Sequence, residues 1–209
     1  MASSRKPRNH RIIEVLAVLL LGVATIGTAW CGYQASRWNG KQDDEARRAS
    51  DLQVQANREF GLATQVISYD TSSVSDYAAA VASGNDKLAE FYRTTIVRPA
   101  FLPVIDQWRA QIAAGQTPTN LLEDQQYVDS QMAPYRATQA LVAKATTDSQ
   151  DAGSTGDDYV LTTILLASAL FFAGLTTSFR VRFAQVLLLC GAALLIALSG
   201  ARLAGLPVA

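Results

Sequence analysis

The sequence predicts an all-α protein that crosses a membrane three times, and three observations support this. Residues 12–33, 159–179 and 183–201 are almost wholly apolar. Each run reaches the roughly 18 to 20 residues a helix needs to cross a bilayer. Residues 34–158, between the first two runs, are polar, and their apolar positions recur at three- and four-residue steps, the period of a helix rather than a strand. The 209 residues balance 18 Lys and Arg against 18 Asp and Glu, so nucleic acid is not an expected partner. The lipid bilayer is the partner that the apolar runs require, and a soluble globular protein is excluded.

The first span, 12–33, follows Arg5, Lys6, Arg8 and Arg11 in the tail 1–11, and an excess of cations holds such a start on the cytoplasmic side. The second and third spans meet at the short turn 180–182, Arg180-Val181-Arg182, again basic. Three spans then place 34–158 and the end 202–209 outside, in keeping with the 11 basic and 17 acidic residues of 34–158. The expected location is the inner membrane of a bacterial envelope. Trp30, Tyr33, Arg37 and Trp38 close the first span and Tyr159 opens the second, where interfacial anchors belong. An aromatic cage for a cationic ligand is the alternative for the first four. Gly27-Thr28-Ala29 imitates a signal-peptidase site, but the apolar run is too long for a signal peptide and contains Glu14. Trp30 before Cys31 argues against a lipoprotein. Cys31 and Cys190 lie at depths of about 28 Å and about 12 Å in their spans, too different for a disulfide.

In 34–158 the first span is expected to continue as an amphipathic helix through Ala49, Leu52, Ala56, Phe60, Ala63, Ile67, Val74, Tyr77 and Val81. Asp70-Thr71-Ser72-Ser73 should weaken it, and Ser83-Gly84-Asn85 should end it with a glycine cap. A helix over 86–97 should stop at Arg98-Pro99. Another, with Pro103 in its first turn, should carry Ile105, Trp108 and Ile112 and end at Gly115. The last should start at Thr119 or Asn120 with Glu123 in a capping box and bend at Pro134. Residues 146–158, polar with Gly153 and Gly156, read as a flexible approach to the second span. Four passes return the chain to the membrane, giving an extracytoplasmic four-helix, up-down bundle. Its apolar stripe is weak and rich in Ala, Ser and Thr, which implies a thin core, so self-association is expected to supply the missing burial.

The run Thr28-Ala29-Trp30-Cys31-Gly32-Tyr33-Gln34-Ala35-Ser36-Arg37-Trp38-Asn39-Gly40-Lys41-Gln42 resembles a junction in a family of bacterial membrane proteins, a domain of unknown function. The start of the second span at Tyr159-Val160-Leu161, then Phe171-Phe172-Ala173-Gly174-Leu175, Ser178-Phe179 and the Arg-containing turn, resembles the same family. The resemblance implies one amino-terminal span, a helical extracytoplasmic insert and a two-span hairpin. It implies no activity.

The inventory for catalysis is poor. The single histidine is His10, so no Ser-His-Asp or Cys-His set can be assembled. Neither zinc-ligand spacing nor a glycine-rich phosphate loop is present. Counting from Asp148 as an EF-hand puts Gln150, Ala152 and Tyr159 at ligand positions, which fails the pattern. Acidic clusters at 43–45, 123–124 and 148–158 read as solvated helix faces, so no metal and no cofactor are expected. Glu14, a carboxylate near the start of a span, is expected to pair with Arg11, Arg180 or Arg182, a proton relay being the alternative.

Small residues at helical spacing mark faces where spans pack: Gly22, Thr25, Ala29 and Gly32 on the first, Ala169, Ala173 and Thr177 on the second, Gly191 and Gly200 on the third. The alternative is a water path lined by Thr25, Thr28, Thr162, Thr163 and Gln185. The expected function is that of a non-enzymatic, homo-oligomeric accessory or assembly subunit with an unidentified membrane-protein partner. An oligomeric ion channel comes second. A ligand sensor acting through a partner comes third.

Overall fold

The computed structural model describes residues 8–117, 125–179 and 181–209. Among them the chain is helical and forms no strand: α1 spans Arg8–Ala82, α2 Asp86–Phe91, α3 Leu102–Ala113, α4 Gln125–Thr176 and α5 Arg182–Leu203. A π-helical turn, Tyr92–Ile96, follows α2, and a 3-10 turn, Pro99–Phe101, leads into α3. Three helices are long and apolar enough to cross a membrane: α1, α4 and α5. The contacts divide the chain into two compact units, one of residues 1–47 with 145–209 and one of residues 48–144.

In the first unit, α1 buries Ala17, Ala24, Cys31 and Trp38 at seven-residue steps, and α4 buries Ala152, Tyr159, Leu166 and Ala173 at the same step. A seven-residue apolar repeat is the seam of a left-handed coiled coil. The helices run antiparallel, since Gly27 faces Leu166 while Gln42 accepts from Ser149 Oγ at 3.0 Å through its backbone carbonyl. α5 joins the seam through Ala192, with Leu195 and Ile196 packed alongside. Residues 146–158 are not the flexible approach that their composition predicts, because α4 runs through them without a break. Gly153 and Gly156 face α1 so closely that a Cβ on Gly153 would stand 2.6 Å from the Gln42 amide and one on Gly156 would overlap the Asn39 side chain. These glycines serve close approach of helices, and tertiary packing overrides their poor helix propensity.

The second unit has a different core. Val74, Tyr77 and Ala80 of α1, Ala89 of α2, Phe101, Ile105 of α3 and Tyr127 of α4 form one buried cluster, with Trp108 against it. Its rings meet edge to face: Phe101 and Tyr127 have centroids 4.6 Å apart, Tyr77 and Trp108 6.3 Å apart. Helix α1 does end at the predicted glycine: Gly84 has φ +69° and Asn85 N–H reaches Ala80 O at 3.0 Å, a left-handed C-cap. Gly115, at φ +71°, ends α3 in the same way. Asn85 then caps α2 by accepting from Leu88 N–H at 3.1 Å. The helix expected over 86–97 is shorter, since α2 ends at Phe91, the π turn follows, and Val97 and Arg98 are extended ahead of Pro99. Asp70-Thr71-Ser72-Ser73 does not interrupt α1: Ser73 Oγ donates to Tyr69 O at 2.7 Å, and the buried Asp70 carboxylate has partners described below. Helix α4 continues through Pro134. The cap expected at Thr119 or Asn120 and the capping box at Glu123 lie outside the described residues.

Candidate functional site

In the first unit, α5 ends at Leu203, and residues 204–209 turn back over α1 and α4. Ala204 N–H bonds Gly200 O at 3.1 Å and Gly205 N–H bonds Arg202 O at 3.0 Å. Pro207 has no N–H and cannot continue the helix. Its carbonyl oxygen accepts two hydrogen bonds, from Trp38 Nε1 of α1 and from Tyr159 OH of α4, each at 3.1 Å. Two residues on, Ala209 N–H donates to Gln34 Oε1 at 3.0 Å. Arg202 of α5 donates to Asp158 Oδ1 of α4 at 3.0 Å beside this strap. Gln34 and Tyr159 are each 1% exposed, so these are buried polar groups with their hydrogen bonds made. Lys41 Nζ sits 4.6 Å above the Trp38 ring, so the face of that indole holds a cation of the chain itself.

The five aromatic and basic residues expected as interfacial anchors therefore separate. Trp30 and Tyr33 are exposed, with ring centroids 6.1 Å apart, and Arg37 is exposed as well. Trp38 and Tyr159 are turned inward onto the strap. The small residues separate too. Ala169 and Ala173 are fully buried in the seam, and Gly191 approaches Phe172. Gly22, Thr25, Ala29 and Gly32 lie on an exposed face of α1; Thr177, in the turn after α4, and Gly200 of α5 are exposed as well. No neighbour stands within 4 Å of a Cβ built on Gly22, Gly32 or Gly200. Within the chain the packing face of α1 is instead the Ala17, Ala24, Cys31 and Trp38 seam. Glu14 and Arg182 are exposed. Arg180 lies outside the described residues.

The hydroxyls that could line a water path donate to their own helices: Thr25 to Leu21 O and Thr28 to Ala24 O at 2.7 Å, Thr162 to Asp158 O at 2.8 Å and Thr163 to Tyr159 O at 2.9 Å. Gln185 Nε2 donates to Phe179 O in the turn after α4 at 2.8 Å and to Thr176 O, the last carbonyl of α4, at 3.4 Å.

The second unit holds a buried charge knot that sequence reasoning missed. Asp70 of α1 has a side chain with no exposure. It accepts from Arg98 Nε at 2.9 Å through Oδ1 and from Tyr127 OH through Oδ2. Arg98 lies between the π turn and the 3-10 turn, and Tyr127 lies in the first turn of α4, so one carboxylate ties three parts of the unit together. Burial and the Asp70 carboxylate hold the Tyr127 phenol protonated far above its usual range, against an opposing pull from Arg98. A signal for this knot exists in the sequence. Ala56, Ala63, Asp70 and Tyr77 are buried at seven-residue steps, so Asp70 is a carboxylate at an apolar position of the stripe. Gln34 carries a weaker signal, one helical turn before Trp38.

Among the described residues no group of three or more His, Cys, Asp or Glu could hold a metal ion. Comparison with known protein families, with curated proteins and with solved structures finds no match to this chain.

Proposed function

We propose that this chain is a non-enzymatic, three-span protein of a bacterial inner membrane that self-associates through α1 and serves as an accessory or assembly subunit. In this reading it is akin to the family its junctions resemble. Its amino-terminal side and the 180–182 turn are cytoplasmic, and residues 34–158 stand outside as a four-helix, up-down bundle. The observation that carries the reading is the unequal use of the apolar helices. Only 11% of the apolar window of α1 is buried inside the chain, against 33% for α4. The face of α1 left over bears Gly22, Thr25, Ala29 and Gly32, the small-residue pattern that lets helices in lipid approach closely. A pore has less support, because the hydroxyls and the amide available to line it donate to backbone carbonyls.

The test is purification of the full-length protein in mild detergent, with the intact mass and subunit composition as readout. A homo-oligomer, or a complex with a foreign membrane protein, is expected. Gly22→Ile with Gly32→Ile should dissociate the homo-oligomer while leaving helicity unchanged. A lone monomer in several mild detergents would sink the proposal.

A further inference from the structure

Gln34, Trp38 and Tyr159 are three buried side chains whose polar atoms converge on one short piece of backbone. They supply two donors to the Pro207 carbonyl and one acceptor to the Ala209 N–H. In an extended chain the C=O of one residue and the N–H two residues later lie on the same edge, so this set reads main chain rather than side chain. Residues 207–209 have no helix or turn structure. Leu206 alone packs into the core of the unit, and Val208 is 67% exposed. Proline suits the position because it presents a carbonyl and leaves no N–H unsatisfied. The strap is not sealed over. An open groove of about 560 Å³ borders it at Arg37, Lys41, Val208 and Ala209, and another of about 510 Å³ at Trp38, Thr155 and Pro207. It leaves α5 through the turn at Ala204 and Gly205 and forms no part of the helix.

We infer that Gln34, Trp38 and Tyr159 form a backbone-reading peptide site which a chain's own residues 206–209 fill, and that a second copy of this chain fills it with the same segment by exchange. Any second copy brings an identical ligand. Copies inserted in the same direction carry strap and site at the same depth, and exchange of an identical element is a low-cost route to association. The inference rests on the self-association proposed above, and it names the contact that would hold two copies together outside the α1 face.

The test uses full-length chains carrying Cys31→Ala and Cys190→Ala. One copy has Ser36→Cys beside an intact site, with its residues 206–209 replaced by Gly-Ser-Gly-Ser. The other has Val208→Cys on an intact strap, with Gln34→Leu and Trp38→Phe in its own site. After co-expression, a short bis-maleimide should join the two copies. The yield should fall about thirtyfold when Gln34→Leu and Trp38→Phe are also placed in the first copy, as expected for losing two hydrogen bonds of about 1 kcal/mol each. Trp38→Phe alone, the milder change, should give an intermediate yield in copies of unchanged helicity. Equal yields with and without the site would overturn the exchange. If the same samples are dimeric by mass, self-association stands and exchange alone falls. If they are monomeric, both fall.

Discussion

The two units of this chain hold themselves together by different means. The seam of the first unit is built mainly from small residues, Ala24, Cys31, Ala35, Ala152, Ala169, Ala173 and Ala192, with Leu166 and two large polar aromatics, Trp38 and Tyr159, among them. The core of the second is built from Tyr77, Phe101, Ile105 and Tyr127, around which Asp70 and Arg98 are paired. In water, burying a large apolar side chain contributes about 1.5 to 3 kcal/mol, so a large-residue core is what a small unit in water needs. In lipid that driving force is absent between helices, and close approach of backbones over small residues takes its place. On the proposed topology α1 carries an alanine-rich seam through the membrane and a little beyond it, to Ala35 and Trp38, before it enters the cluster of rings.

The largest expected effect tests the second unit. Asp70→Ala leaves Arg98 and the Tyr127 hydroxyl without their shared acceptor, and breaking a buried pair costs about 3 kcal/mol. In hydrogen exchange on the intact protein, the protection of residues around Val74, Tyr77 and Ala80 should fall by about two orders of magnitude. Protection along the Ala152 to Ala173 seam should not change. The combined variant Asp70→Leu, Arg98→Met and Tyr127→Phe removes every partner at once and should recover most of the loss. If the triple variant is worse than Asp70→Ala, the knot does more than satisfy its own charges.

A change in the first unit should cost less and act on spacing alone. Gly156→Leu places a branched side chain where even a Cβ overlaps Asn39. Overpacking costs about 1 to 3 kcal/mol, and the gain in helix propensity over glycine returns about 1. A net loss of up to about 2 kcal/mol should show as a lower midpoint of unfolding in an SDS titration. Gly153→Ala meets only the mobile end of Gln42, so its steric cost and its propensity gain should nearly cancel. Equal effects of the two substitutions would mean that α1 and α4 do not approach as closely as Asn39 and Gln42 indicate.

These positions also show what was legible beforehand. The three apolar helices, the glycine caps at Gly84 and Gly115 and the break before Pro99 rest on local chemistry, and local chemistry is visible in a sequence. Residues 146–158 were misread because Gly153 and Gly156 carry two signals at once, a poor helix former and a close-packing residue, and only the partner helix decides between them. The face that α1 packs within the chain was hidden for a related reason. Gly22, Thr25, Ala29 and Gly32 form the more uniform small-residue row, but the seam within the chain mixes Ala24 with Cys31 and Trp38. A row defined by heptad spacing rather than by size would have found it. Asp70 and Arg98, which are 28 residues apart, come together through a turn that no periodicity announces.

Alkaline pH probes the second unit with a smaller effect. The phenol of Tyr127 ionises in an unfolded chain near 10.0, and in the folded unit burial and the Asp70 carboxylate raise that value. A raised value means that the protonated form is favoured on folding, so the contribution is whole below pH about 10 and is lost as pH rises above it. Tyr77, raised chiefly by burial, acts in the same direction. The near-ultraviolet circular dichroism of the tyrosines should therefore collapse above pH 10, together with a rise in tyrosinate absorbance. Tyr127→Phe should lower stability at neutral pH by about 1.5 kcal/mol through the lost hydrogen bond to a carboxylate, and should also flatten the alkaline loss. An alkaline transition unaltered by Tyr127→Phe would transfer that sensitivity to Tyr77.

The smallest effect comes from a bond that looks equivalent to the largest. Arg136 Nη2 meets Asp129 Oδ1 at 2.7 Å, shorter than the 2.9 Å between Arg98 Nε and Asp70 Oδ1. Both pairs join an aspartate to an arginine within the second unit. They differ in their surroundings, since the Asp129 and Arg136 side chains are 44% and 55% exposed while that of Asp70 is not exposed at all. Hydrogen bonds from Arg136 and Gln125 hold the Asp129 carboxyl below its usual range, so whatever it contributes is present at neutral pH and fades as pH falls through that range. Water screens an exposed pair and offers each partner an equal alternative when the other is removed. Asp129→Asn should therefore leave the unfolding midpoint of the intact protein unchanged at neutral pH, where Asp70→Ala shifts it far. If Asp129→Asn proved as damaging as Asp70→Ala, bond length rather than burial would rank the ion pairs of this unit, and the knot at Asp70 would lose its claim to hold the unit together.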